Sequence, residues 1–214
     1  MKIRKIIIAT ISMLLLTGLS FSQKKDEGYV QTAYKAILNK DYKKAIANYT
    51  LAIEKFKGYA PTYYGRGLAY TYLEQNQDAI NDFSKAIELN GNYHQAYYGR
   101  GLVYYKTGDM ANAISNFTSA IAAEPKESDY YYARAIAYYQ QKNFESALVD
   151  YNKAIELNPK NGVAFYGRAV VNKIMNRKQD AINDFTTYIQ LNNNNDGLER
   201  EVYRLIAETK EEEE

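Results

Sequence analysis

The sequence contains no cysteine. Without a thiol, the chain forms neither a disulfide scaffold nor a thiolate nucleophile, and it offers no cysteine for N-terminal lipid attachment. Histidine is almost as scarce, because His94 is the only one in 214 residues. No cluster of metal ligands, nucleophile elbow or glycine-rich phosphate loop is recognisable in the sequence. We therefore expect no catalytic residue, no metal and no cofactor.

The N-terminal segment has the pattern of a secretory signal peptide, in which three basic residues precede an apolar run that extends to Leu16. Small residues flank Phe21 at the two positions that a signal peptidase reads. We expect residues 1–22 to be removed by cleavage after Ser22, with cleavage after Ser20 as the alternative. The apolar run is short for a membrane span, so a retained anchor is the less favoured interpretation. The pattern predicts an exported protein, periplasmic or secreted, of a bacterium.

Removal of that segment also changes the charge of the chain. The whole sequence carries a formal charge of +2, and loss of the basic residues Lys2, Arg4 and Lys5 changes it to −1. A chain this close to neutrality gives no electrostatic reason to bind nucleic acid or an anionic membrane surface. We therefore expect neither partner, and no integral membrane span after cleavage.

A four-residue pattern recurs along the chain at a fixed interval of 34 residues. Its occurrences are Tyr64–Gly67, Tyr98–Gly101, Tyr132–Ala135 and Tyr166–Ala169. A fixed period of this length indicates a repeat array, in which each unit is one supersecondary element that cannot bury its apolar face alone. The predicted repeats are residues 26–59, 60–93, 94–127, 128–161 and 162–195. Residues 196–214 follow as a predicted capping helix, with Asp196 as its N-cap, and an acidic tail.

Each repeat has small residues at two fixed positions and aromatic residues between them. The eighth and twentieth positions are Ala33 and Ala45, Gly67 and Ala79, Gly101 and Ala113, Ala135 and Ala147, and Ala169 and Ala181. Apolar residues recur with a helical period on both sides of a break. In the third repeat we expect Gly108 to end the first helix and Pro125 to follow the end of the second. Each repeat is therefore predicted to be a helix, a tight turn and an antiparallel helix.

This pattern resembles the tetratricopeptide repeat (TPR), a family whose signature combines aromatic, glycine, alanine and proline residues at fixed positions. The third repeat carries it at Tyr97, Gly101, Tyr104, Ala113, Phe117, Ala120 and Pro125. The resemblance covers residues 26–195 and implies an all-α fold, a right-handed α-solenoid of five helix-turn-helix TPR units plus a C-terminal capping helix. The fifth repeat departs from the pattern at Tyr188, where the other repeats have alanine. Such a departure is expected of a repeat that faces a cap.

An arginine occupies the seventh position of each of the last four repeats, and an acidic or amide residue follows it sixteen positions later. The pairs are Arg66 with Asp82, Arg100 with Asn116, Arg134 with Asp150, and Arg168 with Asp184. We favour a partly buried arginine–carboxylate fork within each helix pair over an anion-binding row of arginines. Because Arg100 faces an amide, it is the best candidate for a functional arginine.

The TPR resemblance further implies that the first helices of the repeats line a concave groove in which ligands lie. The predicted groove residues are Tyr64, Leu68, Tyr72, Tyr98, Arg100, Leu102, Tyr105, Tyr132, Ile136, Tyr139, Tyr166 and Val170. Tyrosine combines a large contact area with a hydroxyl that orients a ligand. Glycine or alanine at the sixth position of a repeat, as at Gly65 and Gly167, is expected to leave shallow gaps between the tyrosines. In the alternative interpretation, the tyrosines only pack against neighbouring repeats.

These features favour a non-enzymatic protein-interaction scaffold of the bacterial cell envelope, whose groove binds an apolar or amphipathic peptide of one or more protein partners. The alternative is a glycan- or peptidoglycan-binding module that uses the same tyrosines. A third hypothesis is a homo-oligomer, in which the groove of one copy receives a segment of another. His94 lies where a turn meets a helix, and we expect it to be a surface residue.

Overall fold

The computed structural model describes residues 27–192 and 199–211, and all secondary structure in these ranges is helical. The chain divides after Gly91 into two compact units. The helices of the first unit are α1 (Glu27–Leu38), α2 (Tyr42–Lys55), α3 (Ala60–Tyr72) and α4 (Asn76–Leu89). Those of the second are α5 (His94–Lys106), α6 (Met110–Ala123), α7 (Ser128–Gln140), α8 (Phe144–Leu157), α9 (Gly162–Ile174), α10 (Lys178–Asn192) and α11 (Glu199–Glu211). The predicted all-α fold is confirmed.

The first ten helices form five consecutive pairs, and the two helices of each pair are joined by a tight turn that contains a residue with positive φ. In the third pair this residue is Gly108, with φ of 84°, as the sequence predicts. In the other four pairs the residues are Lys40, Glu74, Lys142 and Asn176, with φ between 58° and 61°. A left-handed conformation is unfavourable for residues that carry a Cβ atom. The turns are therefore imposed by packing of the helices rather than by local preference.

Small residues let the two helices of a pair approach closely around one aromatic ring. The alanines at the twentieth position of all five repeats are fully buried, and so are the rings of Phe83, Phe117 and Phe185. A Cβ atom built on Gly101 would lie 2.6 Å from Cε1 of Phe117, which is closer than real carbon atoms approach. The glycine is thus needed for the contact, and the predicted role of small residues at this position is confirmed.

The last helix, α11, packs against the fifth pair. Val202 is fully buried in one cluster with Phe185 and Tyr188, and Leu205 and Ile206 pack at its edge. Tyr188 is therefore large because it meets α11 in place of another repeat. A cap formed by a final helix is what a repeat array needs to cover its apolar end.

Some predictions fall outside the described residues. These are the signal peptide and its cleavage site, the N-cap Asp196 and the end of the acidic tail. Within the described part of the chain, no helix has both the length and the apolar character needed to cross a membrane.

Candidate functional site

Three of the four arginines form the carboxylate forks that the sequence predicts. In the first unit, Arg66 donates hydrogen bonds from Nε and Nη2 to the two carboxylate oxygens of Asp82, at 2.7 and 2.8 Å. Its Nη1 donates to Oγ1 of Thr50 on the preceding helix pair, at 3.0 Å. The hydrogen bonds to Asp82 are the main cause that raises the pKa of Arg66. The arginine thus ties its own helix pair together and ties that pair to the one before it.

The second unit repeats this arrangement twice. Arg134 binds Asp150 at 2.7 and 2.8 Å, and Arg168 binds Asp184 at 2.8 and 2.6 Å. Both also donate from Nη1 to the preceding helix pair, to Thr118 in one case and to Asn152 in the other. These three arginines are structural, and they do not form an anion-binding row.

Arg100 has a different partner, as expected from its sequence position. Its Nε donates to Oδ1 of Asn116 at 2.8 Å. The amide nitrogen of Asn116 is directed elsewhere and donates to the carbonyl oxygen of Asn112 at 2.8 Å. Arg100 therefore meets an amide here where the other three arginines meet a carboxylate, and a role of Arg100 in ligand binding stays a prediction.

The fifth-position tyrosines of the first helices pack against the aromatic residue at the twenty-fourth position of their own repeat. The ring-centroid distances are 5.8 Å for Tyr64–Phe83, 5.8 Å for Tyr98–Phe117, 6.1 Å for Tyr132–Tyr151 and 5.8 Å for Tyr166–Phe185. Such contacts stabilise a fold beyond the area they bury. The alternative interpretation, that the tyrosines pack within the array, therefore holds for part of each ring.

The other predicted groove residues of the first unit are largely enclosed. Leu68 is 4% exposed and belongs to the core, so its side chain does not lie on an open surface. Tyr72 is half-buried and stacks on Tyr42, with the two ring centroids 4.5 Å apart and the planes nearly parallel. The prediction that Leu68 lines an open groove is therefore not what the structure shows.

In the second unit, most of the predicted groove residues are half-buried, and we call this set of residues the tyrosine face. Its residues are Tyr98, Leu102, Tyr105, Tyr132, Ile136, Tyr139, Tyr166 and Val170. Tyr166 and Val170 lie at the end of this face and share a cluster with residues of α11. Beside them, Lys173 forms an ion pair with Glu208 of α11 at 3.0 Å. The capping helix therefore reaches the tyrosine face at its last repeat.

The expected gaps at the sixth position are filled by tyrosine rings from the preceding helix pair. A Cβ atom built on Gly65 would lie 2.6 Å from the hydroxyl oxygen of Tyr49, and one built on Gly167 would lie 2.6 Å from that of Tyr151. The prediction of shallow gaps at these two glycines is therefore wrong. Sequence reasoning missed Tyr49 and Tyr151 because the twenty-fourth position carries tyrosine or phenylalanine and was interpreted only as core.

The phenols of the second unit are close enough to influence one another. Burial raises the pKa of Tyr132 to about 12, with smaller contributions from Tyr105 and Asp129. Burial also raises the pKa of Tyr151, and the neighbouring phenols of Tyr132, Tyr105 and Tyr139 raise it further. These groups are therefore neutral hydroxyls at physiological pH, and they act as donors or acceptors but not as anions.

His94 is half-buried, which corrects the expectation of a surface residue. Its Nδ1 lies 2.6 Å from the hydroxyl oxygen of Tyr130, in a hydrogen bond between the first helices of the third and fourth repeats. Burial lowers the pKa of His94, and the carboxylates of Glu124 and Glu127 oppose that effect. Among the described residues, no group of three or more histidine, aspartate or glutamate side chains is arranged to hold a metal ion.

Comparison with protein families identifies the repeats. Residues 128–161 and residues 94–127 each match a model described as tetratricopeptide repeat, and residues 67–108 match one described as TPR repeat. No curated protein matches the chain at a significant level.

Solved structures share the fold. MamA from Desulfovibrio magneticus RS-1 has a TM-score of 0.73 at 22% identity, over 80% of this chain and 97% of that one. A tetratricopeptide repeat protein from Parabacteroides merdae has a TM-score of 0.73 at 18% identity, over 87% and 72%. YrrB, a TPR protein with an unusual peptide-binding site, has a TM-score of 0.68 at 19% identity, over 86% and 95%. At these identities the likeness concerns the fold alone.

Proposed function

The chain is a tetratricopeptide repeat protein, and from that premise we propose that it is a non-enzymatic interaction scaffold whose tyrosine face binds an apolar or amphipathic peptide segment of a protein partner. The repeat fold and its likeness to TPR proteins support a protein-interaction scaffold. The peptide-binding site of YrrB belongs to that protein, and it makes the same class of ligand a reasonable hypothesis here.

The observation that carries the proposal is the composition of the tyrosine face. Leu102 packs against the same cluster as Tyr98, and Ile136 against the same cluster as Tyr132, and both aliphatic side chains stay partly exposed. Half-buried aliphatic side chains framed by tyrosines form a surface on which an apolar segment gains contact area at little entropic cost. The charged residue at the edge of this face, Lys173, is already paired with Glu208.

The place of action belongs to the same proposal. The basic and apolar N-terminal pattern supports export, with cleavage after Ser22, so the partner would be a protein of the bacterial cell envelope or of the medium. Expression in a bacterial host, followed by fractionation and mass measurement of the exported chain, tests this part. A mature chain that begins at Gln23 is expected, whereas a full-length chain in the cytoplasm would refute it.

The binding proposal is tested by placing a charge on the tyrosine face and the same charge on the other helix of the same repeat. Ile136→Lys introduces an ammonium group between the tyrosines. Val149→Lys on α8 is the matched control, because Val149 is already 66% exposed. Partners from an envelope extract are captured on each protein and identified by mass spectrometry. We expect a protein that is retained by the parent and by Val149→Lys but lost with Ile136→Lys.

Three other outcomes would change the proposed binding surface or the proposed ligand. If both variants retain the same proteins, the tyrosine face is not the binding surface. If the parent is retained instead by insoluble cell wall and is released by soluble sugar, the same tyrosines serve a glycan-binding module. A concentration-dependent dimer in light scattering that disappears with Ile136→Lys would make the occupant a second copy of the chain.

A further inference from the structure

Two buried tyrosines have hydroxyl groups that make no hydrogen bond with any described residue. Tyr49 is 4% exposed in the first unit, and Tyr151 is 3% exposed in the second. Buried hydroxyl groups are nearly always paired, because an unpaired one loses its hydration without compensation. Neither oxygen is among the unpaired atoms that are sealed from solvent. Each hydroxyl oxygen therefore keeps slight exposure to solvent.

Glycines on the first helices hold open the space for these hydroxyls. The hydroxyl oxygen of Tyr49 lies against Gly65 of the next repeat, and that of Tyr151 lies against Gly167. Any side chain at either glycine would displace the phenol end of the tyrosine. In contrast, Phe117 has no hydroxyl. The residue of the fourth repeat at the position of Gly65 and Gly167 is Ala133, which carries a methyl group and packs in the same cluster as Phe117. In each unit, the hydroxyl of the buried tyrosine therefore lies against a glycine.

Each of these hydroxyls lies in a group of phenols. The phenols of Tyr132, Tyr105 and Tyr139 lie near enough to Tyr151 to influence its ionisation, and the phenol of Tyr34 does the same for Tyr49. Burial is the main cause that raises the pKa of both buried tyrosines. The hydroxyls thus stay protonated and available as donors.

On the basis of the proposed function, we infer that the hydroxyl of Tyr151 donates a hydrogen bond to a backbone carbonyl oxygen of the apolar peptide that is bound on the tyrosine face. A cationic group would favour an anionic acceptor, whereas the ionisable groups that shift the pKa of Tyr151 are the phenols of other tyrosines. Ile136 packs against the same cluster as Tyr151. A sugar would leave hydroxyls unpaired against this aliphatic surface, while an apolar peptide offers isolated carbonyls between apolar side chains.

The test uses variants that remove only an oxygen atom. Tyr49→Phe and Tyr151→Phe keep the ring, and phenylalanine already occupies the equivalent position in Phe83, Phe117 and Phe185. Tyr131→Phe is the matched control, because the hydroxyl of Tyr131 donates to the carbonyl oxygen of Pro125 within the protein. The probe is an array of N-acetylated, C-amidated twelve-residue peptides of uncharged composition, with apolar residues at varied spacings.

We expect some peptides to bind the parent, Tyr131→Phe and Tyr49→Phe equally, because Tyr49 lies outside the tyrosine face. The same peptides should bind Tyr151→Phe about three- to tenfold more weakly, which is the effect of one neutral hydrogen bond. Equal binding by all four proteins would overturn this inference and leave the proposed function intact. If no peptide binds the parent, while a soluble peptidoglycan fragment does, both the inference and the proposed function fail.

A melting curve distinguishes a binding role from a structural one. Removal of an unpaired hydroxyl should leave the melting temperature of Tyr151→Phe equal to or above that of the parent. Tyr131→Phe loses an internal hydrogen bond and should melt lower. Weaker peptide binding together with a lowered melting temperature of Tyr151→Phe would show that the hydroxyl supports the fold, and would overturn the inference.

Discussion

The arginine forks allow a quantitative prediction for Asp150→Asn. In the parent, Arg134 donates two hydrogen bonds to the carboxylate of Asp150, whose side chain is 3% exposed, while that of Arg134 is 17% exposed. The substitution keeps the shape of the side chain but replaces one acceptor oxygen by a donor. The chain itself shows the arrangement to expect, since Arg100 donates a hydrogen bond of 2.8 Å to the amide oxygen of Asn116.

The cost follows from the bond that is lost. A hydrogen bond to a charged group contributes about 1.5–3 kcal/mol to the free energy of unfolding. The partial exposure of Arg134 favours the lower half of that range, so we expect a loss of about 2 kcal/mol. For a chain of this size, 1 kcal/mol corresponds to about 2–4 °C, and the melting temperature should fall by about 4–8 °C.

The assay is thermal unfolding followed by circular dichroism at 222 nm, with two companion variants. Asp150→Ala leaves the guanidinium without its acid and should cost about 3–5 kcal/mol. Glu156→Gln removes an exposed ion pair with Lys153, one turn along α8, and should not change the melting temperature. If Asp150→Asn melts within 1 °C of the parent, or no lower than Glu156→Gln, the fork is not a stabilising element.

Three further predictions concern the turns, the core and the histidine. Lys142→Gly removes the side chain from a residue with a positive φ of 60° and should raise the free energy of unfolding in urea by about 0.5–1 kcal/mol. Gly108→Ala should lower the free energy of unfolding, and a change of the same sign in both variants would contradict this account. Ala147→Leu inserts three carbon atoms at a fully buried contact and should cost about 1–3 kcal/mol, so a variant that melts like the parent would refute it. Because burial holds the pKa of His94 below its ordinary value of 6.5, its contribution to stability is fully present above about pH 6.5 and is lost as the pH falls below that value. The parent should therefore lose more stability than His94→Gln between pH 7.5 and pH 5, and equal losses measured by urea unfolding would exclude this role.

The repeat period explains why so much of the fold could be predicted. Small residues at the eighth and twentieth positions, such as Gly101 and Ala113, identify helix contacts because no larger side chain fits there. The arginine forks were predictable for a related reason, since a charged residue that recurs in a packed register needs a partner. Both predictions depend on spacing alone, and spacing is what a repeat array shows most clearly.

The features that the sequence did not predict depend on contacts between particular atoms rather than on the spacing of residues. Lys142 and Asn176 adopt positive φ although neither is glycine, because the packing of two helices outweighs a local preference of about 1–2 kcal/mol. His94 is half-buried because Tyr130, 36 residues later in the chain, meets it across neighbouring first helices. Neither the positive φ values nor the contact between His94 and Tyr130 can be recognised in the hydrophobic pattern of the sequence.

The contact between Tyr151 and Gly167 could not be predicted from the sequence for a different reason. Glycine at the sixth position also follows a phenylalanine, since Gly99 is the residue of the third repeat that corresponds to Gly167 and Phe83 precedes it in the array. Glycine at that position therefore does not by itself identify a repeat in which a hydroxyl passes between the helices. The three-dimensional distance from Gly167 to the phenol of Tyr151 was required to connect them.

The energetics of that pair bear on the function of the tyrosine face. A glycine inside a helix is less stable than alanine by about 0.5–1 kcal/mol, and a hydroxyl that makes no hydrogen bond with the described residues and has little contact with water adds a further unfavourable contribution. The combination of Phe117 with Ala133 avoids both, and it packs in the same unit. For the stability of the fold alone, phenylalanine at position 151 and alanine at position 167 would therefore be more favourable. A hydrogen bond to a bound ligand supplies the compensation that the free protein lacks.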